Sequence, residues 1–279
     1  MPLLVTGATG PIGRLLVSQL HAAGQPVRVV SREASPVFPK GVEVVQGDFT
    51  KGDLPSSAFH EVKGVFVFPA QGGVDAFVQQ AQALGVEYFV VLSSLAAALE
   101  HVRDQGSASA LHHLAVENAV KATGIPATFL RPGTFANNLL AWAHSIKIED
   151  TVYGPYPTPR QAPIHEEDIA AVAFAALTRE GHQGKTYAMT GPQSLTRVEQ
   201  LEAIGAAINK KLRFQEVSPE AFQESMSKFM PAPIIKMLLD YWSDTVSQPD
   251  LVRPTVEQVT GRKARTLVQW AQAHLADFS

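Results

Sequence analysis

The sequence predicts an α/β fold built on a doubly wound parallel sheet, with a smaller, mostly helical C-terminal part. Three observations carry that reading. The N-terminal half alternates short apolar runs with stretches whose apolar residues recur at helical spacing. A glycine-rich turn joins the first run to the first helix, and prolines break the pattern beyond Tyr153. Apolar runs without polar alternation are buried on both faces, as parallel strands covered by helices are.

Taken in order, Leu3-Leu4-Val5 is the first strand, and Ile12, Leu15, Leu16 and Leu20 mark the helix after it. Val27 to Val30 is a second strand, ended by Ser31-Arg32-Glu33, and Val42 to Val45 and Val65 to Phe68 are the next two. Phe77, Ala81 and Leu84 indicate a helix, Phe89 to Leu92 a fifth strand, and Leu111, Leu114, Ala115 and Ala119 a further helix leading to a strand at Ala127 to Leu130. The segment Tyr153-Gly154-Pro155-Tyr156-Pro157-Thr158-Pro159 can be neither regular helix nor central strand, because each proline lacks a donor and fixes φ. Glu166 to Leu177 and Thr196 to Ile208 then read as helices, with strands at Lys185 to Met189 and Phe214 to Val217. The remainder is helical in pieces, and its apolar cluster Phe229, Met230, Ile234, Ile235, Tyr241 and Trp242 reads as core or pocket lining.

Composition narrows the function classes. The chain has 279 residues, 46% of them hydrophobic, and a formal net charge of −3. This balance offers no clustered positive charge for nucleic acid or an anionic membrane, so neither partner is expected. The absence of cysteine removes disulfides, thiolate metal sites, iron–sulfur clusters and cysteine nucleophiles together. No secretory leader and no run of about 18 apolar residues is present, so a cytoplasmic protein is the expectation. His165-Glu166-Glu167-Asp168 is read as acids favoured at a helix N-terminus, and no metal site is expected.

Thr6-Gly7-Ala8-Thr9-Gly10-Pro11-Ile12-Gly13 sits between the first strand and the first helix. Its G-x-x-G-x-x-G spacing permits a tight turn, lets backbone approach a pyrophosphate and lets helix pack on strand. The helix N-terminus would offer the phosphates its unpaired N–H groups, and Pro11 suits a first turn that has no use for its missing donor. Gly7, Thr9, Gly10, Pro11, Ile12 and Gly13 are therefore candidate cofactor-binding residues. The expected organisation is an NAD(P)-binding Rossmann domain over residues 1–152 and a substrate-binding part over 153–279, whose elements can return to the core.

The stretch Val5 to Gly13, V-T-G-A-T-G-P-I-G, resembles the opening of the extended and atypical short-chain dehydrogenase/reductases, and within them the NmrA-like group. That group includes isoflavone-type reductases, NAD(P)H:quinone oxidoreductases, triphenylmethane reductase and redox-sensing regulators. His113-Leu-Ala-Val-Glu117, followed by Gly124-Ile125-Pro126 and Leu130-Arg131-Pro132, is similar to a second family motif, as is Gln46-Gly47-Asp48. The resemblance implies that Asp48 and Phe49 meet the adenine edge. It also implies that Pro69, Ala70 and Gln71 line the cofactor cleft, and that Pro132, Gly133 and Thr134 approach the nicotinamide carboxamide.

Cofactor choice is expected at the end of the second strand, where an acid would bond a ribose hydroxyl and an arginine a 2′-phosphate. Arg32, with Ser31 as an added donor, favours NADP(H), and Arg14 is a candidate helper. Reading Glu33 as the ribose ligand instead would suit NAD(H).

Most short-chain dehydrogenases use a Tyr-x-x-x-Lys couple, whose lysine lowers the tyrosine pKa. None of the five tyrosines here has Lys four positions later. By resemblance, His113 falls where isoflavone-type members place a catalytic lysine, and imidazole is a reasonable proton donor. Glu117, four residues on, would lie on the same helical face and could orient it; a plain surface pair is the alternative. Ser93 and Ser94 end the fifth strand, where the family places a substrate-orienting hydroxyl, although serines also cap turns for local reasons. The functional expectation is an NADPH-dependent reductase of a small, apolar or aromatic acceptor such as a quinone, carbonyl, imine or conjugated double bond. A catalytically silent NADP(H) sensor acting through a protein partner is the alternative, and a homodimer is compatible with either.

Overall fold

Burial separates central strands from edges. The computed structural model describes residues 1–33, 36–52 and 54–279. Its elements run β1 (Leu3–Val5), α1 (Pro11–Ala22), β2 (Val27–Ser31), β3 (Glu43–Gln46), β4 (Gly64–Val67), α2 (Val74–Ala83), β5 (Tyr88–Leu92), α3 (Ala108–Ala122) and β6 (Ala127–Pro132). The chain continues through α4 (Ala143–Glu149), β7 (Thr151–Gly154), β8 (Arg160–Gln161), α5 (Glu166–Thr178), β9 (Thr186–Met189) and β10 (Leu195–Thr196). It then forms α6 (Arg197–Ile208), β11 (Arg213–Glu216), α7 (Pro219–Met226) and α8 (Ala232–Ser247), followed by shorter helices. No helix among the described residues is long and apolar enough to cross a membrane.

The chain packs as two compact units. The first comprises Met1–Pro132, Glu166–Met189 and Gln258–Gly261; the second comprises Gly133–His165, Thr190–Glu257 and Arg262–Ser279. Residues 133–152 therefore pack with the second unit, whereas α5 and β9 are given back to the first.

In the first unit a seven-stranded sheet has the order β3-β2-β1-β4-β5-β6-β9, with every pair parallel. Every residue of β1, β2, β4 and β5 is buried, including Arg28 of β2, which pairs with Glu43 of β3. β3 has only one neighbour and is largely exposed, so Val44 faces solvent. α1 packs on α5, and α2 on α3. Strand order reverses between β1 and β4, and ligands of open α/β sheets bind outside the carboxyl ends at such a reversal.

Phe77 of α2 anchors one core cluster. It is fully buried, with the rings of Phe49 at 5.7 Å and Phe59 at 5.5 Å. In the second unit, β7 pairs with β11 and β8 with β10. Its core gathers Leu139, Ile146, Leu201, Ile204, Leu267 and the fully buried Trp270. Thr196 and Glu199 form a capping box that starts α6 one residue later than the sequence pattern suggested. The apolar cluster expected as core or lining is split: Ile235 is buried, but Phe229 is 78% exposed and Ile234 is exposed. Helical spacing sorts residues by face, and α8 is covered on only part of its circumference.

Replacing Phe77 with Ala leaves a cavity that its neighbours fill only in part. The expected cost is about 3–5 kcal/mol, read as a lower urea midpoint at unchanged slope. A midpoint equal to that of the parent would contradict this placement.

Candidate active site

At the glycine turn, close packing and an open face coexist. Gly7 has φ +63°, and a Cβ there would meet the Phe68 ring at 2.7 Å. A Cβ on Gly13 would lie 2.2 Å from the Gly7 carbonyl, so glycine is what lets α1 start against the turn. Gly10 differs, because its Cβ would meet only the Gly7 oxygen, at 3.4 Å. Gly10 is also the N-cap of α1, with no side-chain cap and no acid in the first turn. The positive end of α1 is thus uncompensated, with backbone open to approach, and these residues fit a pyrophosphate. Ile12 is buried and offers a ligand only its backbone. Thr6 locks the adjoining strands: its hydroxyl donates to the Phe66 carbonyl and accepts from the Phe68 N–H at 2.8 Å.

Beside the turn, Arg14 donates from Nε to the Thr9 carbonyl at 2.8 Å. Arg14 is therefore a brace for the turn. Ser31 is buried and its hydroxyl accepts the Glu33 N–H, while Arg32 and Glu33 are exposed. Asp48 caps a short 3₁₀ turn, accepting from both the Thr50 N–H and its hydroxyl. The Thr50 hydroxyl bond, and to a lesser extent the positive charge of Arg32, hold its carboxyl below the usual range. Phe49, expected at the adenine edge, turns its ring into the core against Phe77, which leaves its backbone for a ligand.

The ends of β5 and β6 hold a buried charge network. Glu117 of α3 is 0% exposed. Arg131 reaches its two oxygens through Nε at 2.8 Å and Nη2 at 2.7 Å. The Ser93 hydroxyl donates to it at 2.7 Å and the Lys121 ammonium at 3.0 Å. Burial alone would raise the Glu117 pKa, but the bonds from Arg131, Ser93 and Lys121 outweigh it and hold the carboxyl below its ordinary value. Ser93 has therefore given its proton inward. Ser94 differs, since its oxygen accepts the Ala96 N–H at 3.3 Å and its own proton is uncommitted among the described residues.

His113 does not pair with Glu117 in this way. Its Nδ1 is buried without a hydrogen-bond partner among the described residues. Burial, reinforced by the neighbouring His112 and only partly opposed by Glu117, pushes its pKa down to about 4. At that value the His113 ring is neutral at physiological pH. His112 holds the loop after β4, with Nε2 3.0 Å from the Pro69 carbonyl. A carbonyl only accepts, so Nε2 carries the proton. Ala70 is buried beside it.

Pro132 ends β6, and the loop Gly133-Thr134 opens the second unit. There the Thr134 hydroxyl lies 2.7 Å from that of Tyr241 on α8. Arg131, His112, Thr6 and Tyr241 are contributors that sequence reasoning assigned no such role. Arg131 stood between Leu130 and Pro132 in the family-like motif, Thr6 at the head of the glycine-rich turn and Tyr241 in the apolar cluster.

Comparison with known proteins gives this arrangement a context. The chain is 34% identical to a (4-alkanoyl-5-oxo-2,5-dihydrofuran-3-yl)methyl phosphate reductase of Streptomyces griseus, covering 99% of each chain. It is 32% identical to an NAD(P)H azoreductase of Xenophilus azovorans, again over 99% of both. The triphenylmethane reductase of Citrobacter sp., solved as a complex with NADP(H), superposes with a TM-score of 0.81 at 23% identity, covering 98% of this chain and 99% of that one. The profile of the NmrA-like family matches residues 2–277, and the chain belongs to that family.

Proposed function

We propose that this chain reduces a small, apolar or aromatic acceptor, such as a quinone, azo compound or conjugated carbonyl, at the expense of NADPH. The chain is an NAD(P)H-dependent oxidoreductase. The single observation that carries the reading is the uncapped N-terminus of α1 behind Gly7, Gly10 and Gly13, a cradle shaped for a dinucleotide pyrophosphate. Two relatives above 30% identity are reductases by name, one of a phosphate-bearing unsaturated lactone and one of azo compounds. Both names describe electron-poor acceptors with conjugated double bonds.

In this reading Gly7, Thr9, Gly10, Pro11, Ile12 and Gly13 hold the pyrophosphate. Ser31 and the exposed Arg32 take the 2′-phosphate, and Asp48, with the Phe49 backbone, borders the adenosine end. Pro69 and Ala70, held by His112, line the cleft, while Pro132, Gly133 and Thr134 border the nicotinamide. NADPH supplies the hydride.

Ser94 is the hydroxyl able to donate to an acceptor oxygen, because Glu117 already holds the Ser93 proton. Neutral His113, partly exposed but with Nδ1 buried, orients the acceptor by one hydrogen bond from Nε2. Glu117 and Arg131 position Ser93. An acceptor that becomes a stabilised anion after hydride addition needs little acid strength from the protein, which suits a site without Tyr-x-x-x-Lys.

NADPH oxidation with a panel of quinones, azo dyes, enones and simple ketones tests the proposal. Saturable turnover with at least one conjugated acceptor is expected, and micromolar NADPH binding without turnover on the whole panel would sink it. Arg32→Ala is expected to weaken NADPH binding by about tenfold or more, in line with one charge-assisted contact, and to leave NADH within about twofold. An equal effect on both cofactors contradicts the assignment. The His113 ring is expected to titrate near pH 4 by NMR. His113→Phe should lower kcat/KM by about threefold to tenfold, the size of one hydrogen bond and not the hundredfold of a lost general acid. A midpoint above pH 6 would overturn this role.

A further inference from the structure

The second unit buries a cation that no anion accompanies. Arg197 opens α6 and is 2% exposed. Among the described residues its one hydrogen bond runs from Nη1 to the Pro155 carbonyl at 2.8 Å, and it makes no ion pair. The donors of Nε and Nη2 are unspent. Acids on the surrounding elements are engaged elsewhere. Glu199, two residues on, accepts the Thr196 N–H at 2.7 Å and pairs with Arg160 at 3.2 Å. Glu149 accepts the Tyr153 hydroxyl at 2.7 Å, and Asp240 pairs with Lys236 at 2.6 Å. Burial pulls the Arg197 pKa down to about 9, so the guanidinium is charged at neutral pH.

Aromatic rings stand where a counterion would. The guanidinium carbon lies 3.9 Å from the centre of the Trp242 ring, 5.4 Å from that of Phe214 and 5.7 Å from that of Trp142. Phe222 of α7 sets its edge against Trp242 at 5.4 Å and braces that wall. Ring faces attract a cation yet leave its in-plane N–H edge without an acceptor. Gly154 keeps the corner at Nη2 clear, since a Cβ there would lie 2.9 Å from Nη2 and 3.2 Å from the Phe214 ring. Gly154 belongs to β7 and has no positive φ, so its missing side chain supplies space and not backbone freedom. Trp142, Phe214 and Trp242 are each partly exposed, which opens the box to the surface at its rim.

We infer that this box is a binding site for a small-molecule oxyanion, a carboxylate or a phosphate monoester carried on a flat apolar body. The free edge of Arg197, Nε with Nη2, matches the paired oxygens of either group in bidentate geometry. The rings give such a body walls to stack on, and the anion brings the charge that the fold withholds. The site lies wholly within the second unit and stands whether or not the chain uses NADPH.

Binding of phenyl phosphate, benzoate and neutral benzamide tests the site, followed by calorimetry and by quenching of tryptophan fluorescence. At least one anion is expected to bind about tenfold or more tighter than benzamide, the size of one charge-assisted contact. Tight binding of both supports the oxyanion, of benzoate alone a carboxylate, and of phenyl phosphate alone a phosphate ester. Arg197→Met should bring the preference within about twofold of one, and a buried charge replaced by an apolar chain of similar volume commonly folds as well. Gly154→Ala fills the corner at Nη2 and should weaken the preferred anion by about tenfold; this variant decides the matter if Arg197→Met fails to fold. A parent that binds neither anion better than benzamide, or a preference that survives in the folded variants, overturns the inference and leaves Arg197 as a cation–π clamp between α6 and α8.

Discussion

A carboxylate shut away from water is stable as an ion only if its neighbours replace the hydration it has lost. Glu117 is that constraint in the first unit. The two guanidinium bonds from Arg131, the Ser93 hydroxyl and the Lys121 ammonium join α3, the end of β5 and the end of β6 through one side chain. Removing one partner from such a buried pair leaves an uncompensated charge, at a cost of about 3–5 kcal/mol. The same bonds that solve the solvation problem also fix which hydroxyl can give a proton away. In the proposed site, stability and chemistry would share one set of contacts.

Direction is the recurring principle. Ser93 and Thr134 are hydroxyls in different units, and each spends its proton toward a buried acid, Ser93 directly to Glu117 and Thr134 through Tyr241 to Asp250. The Thr6 hydroxyl uses both capacities on backbone, and His112 has its tautomer chosen by a proline carbonyl. A list of polar residues would treat all of these as interchangeable. Tracing each proton to its acceptor does not.

Sequence made some of this legible because the signals are local. The G-x-x-G-x-x-G spacing, Pro11 at the helix start and the uninterrupted apolar strands each depend on residues a few positions apart. What stayed hidden depends on distance along the chain. His113 and Glu117 share a helical face, and periodicity suggested that they pair. Arg131, fourteen residues beyond Glu117, is the stronger and better-placed partner. The burial that drives the His113 pKa down has no counterpart in spacing. Tyr241 was read as core or pocket lining in an apolar cluster, because only folding brings it to Thr134 and Asp250. Phe49 was placed at the adenine edge by resemblance, but the hydrophobic effect sends its ring into the core.

The first unit is also discontinuous, since α5 covers α1 and β9 completes the sheet only after the chain has built Gly133–His165. A chain emerging from the ribosome thus holds β1 to β6 with one helix layer incomplete and one outer strand unpaired until Met189 has been made. Such half-built sheets expose the surfaces that nascent chains stick together by. The late return of residues 166–189 means that the sheet and the helix pair α1–α5 close only once the intervening Gly133–His165 has been made.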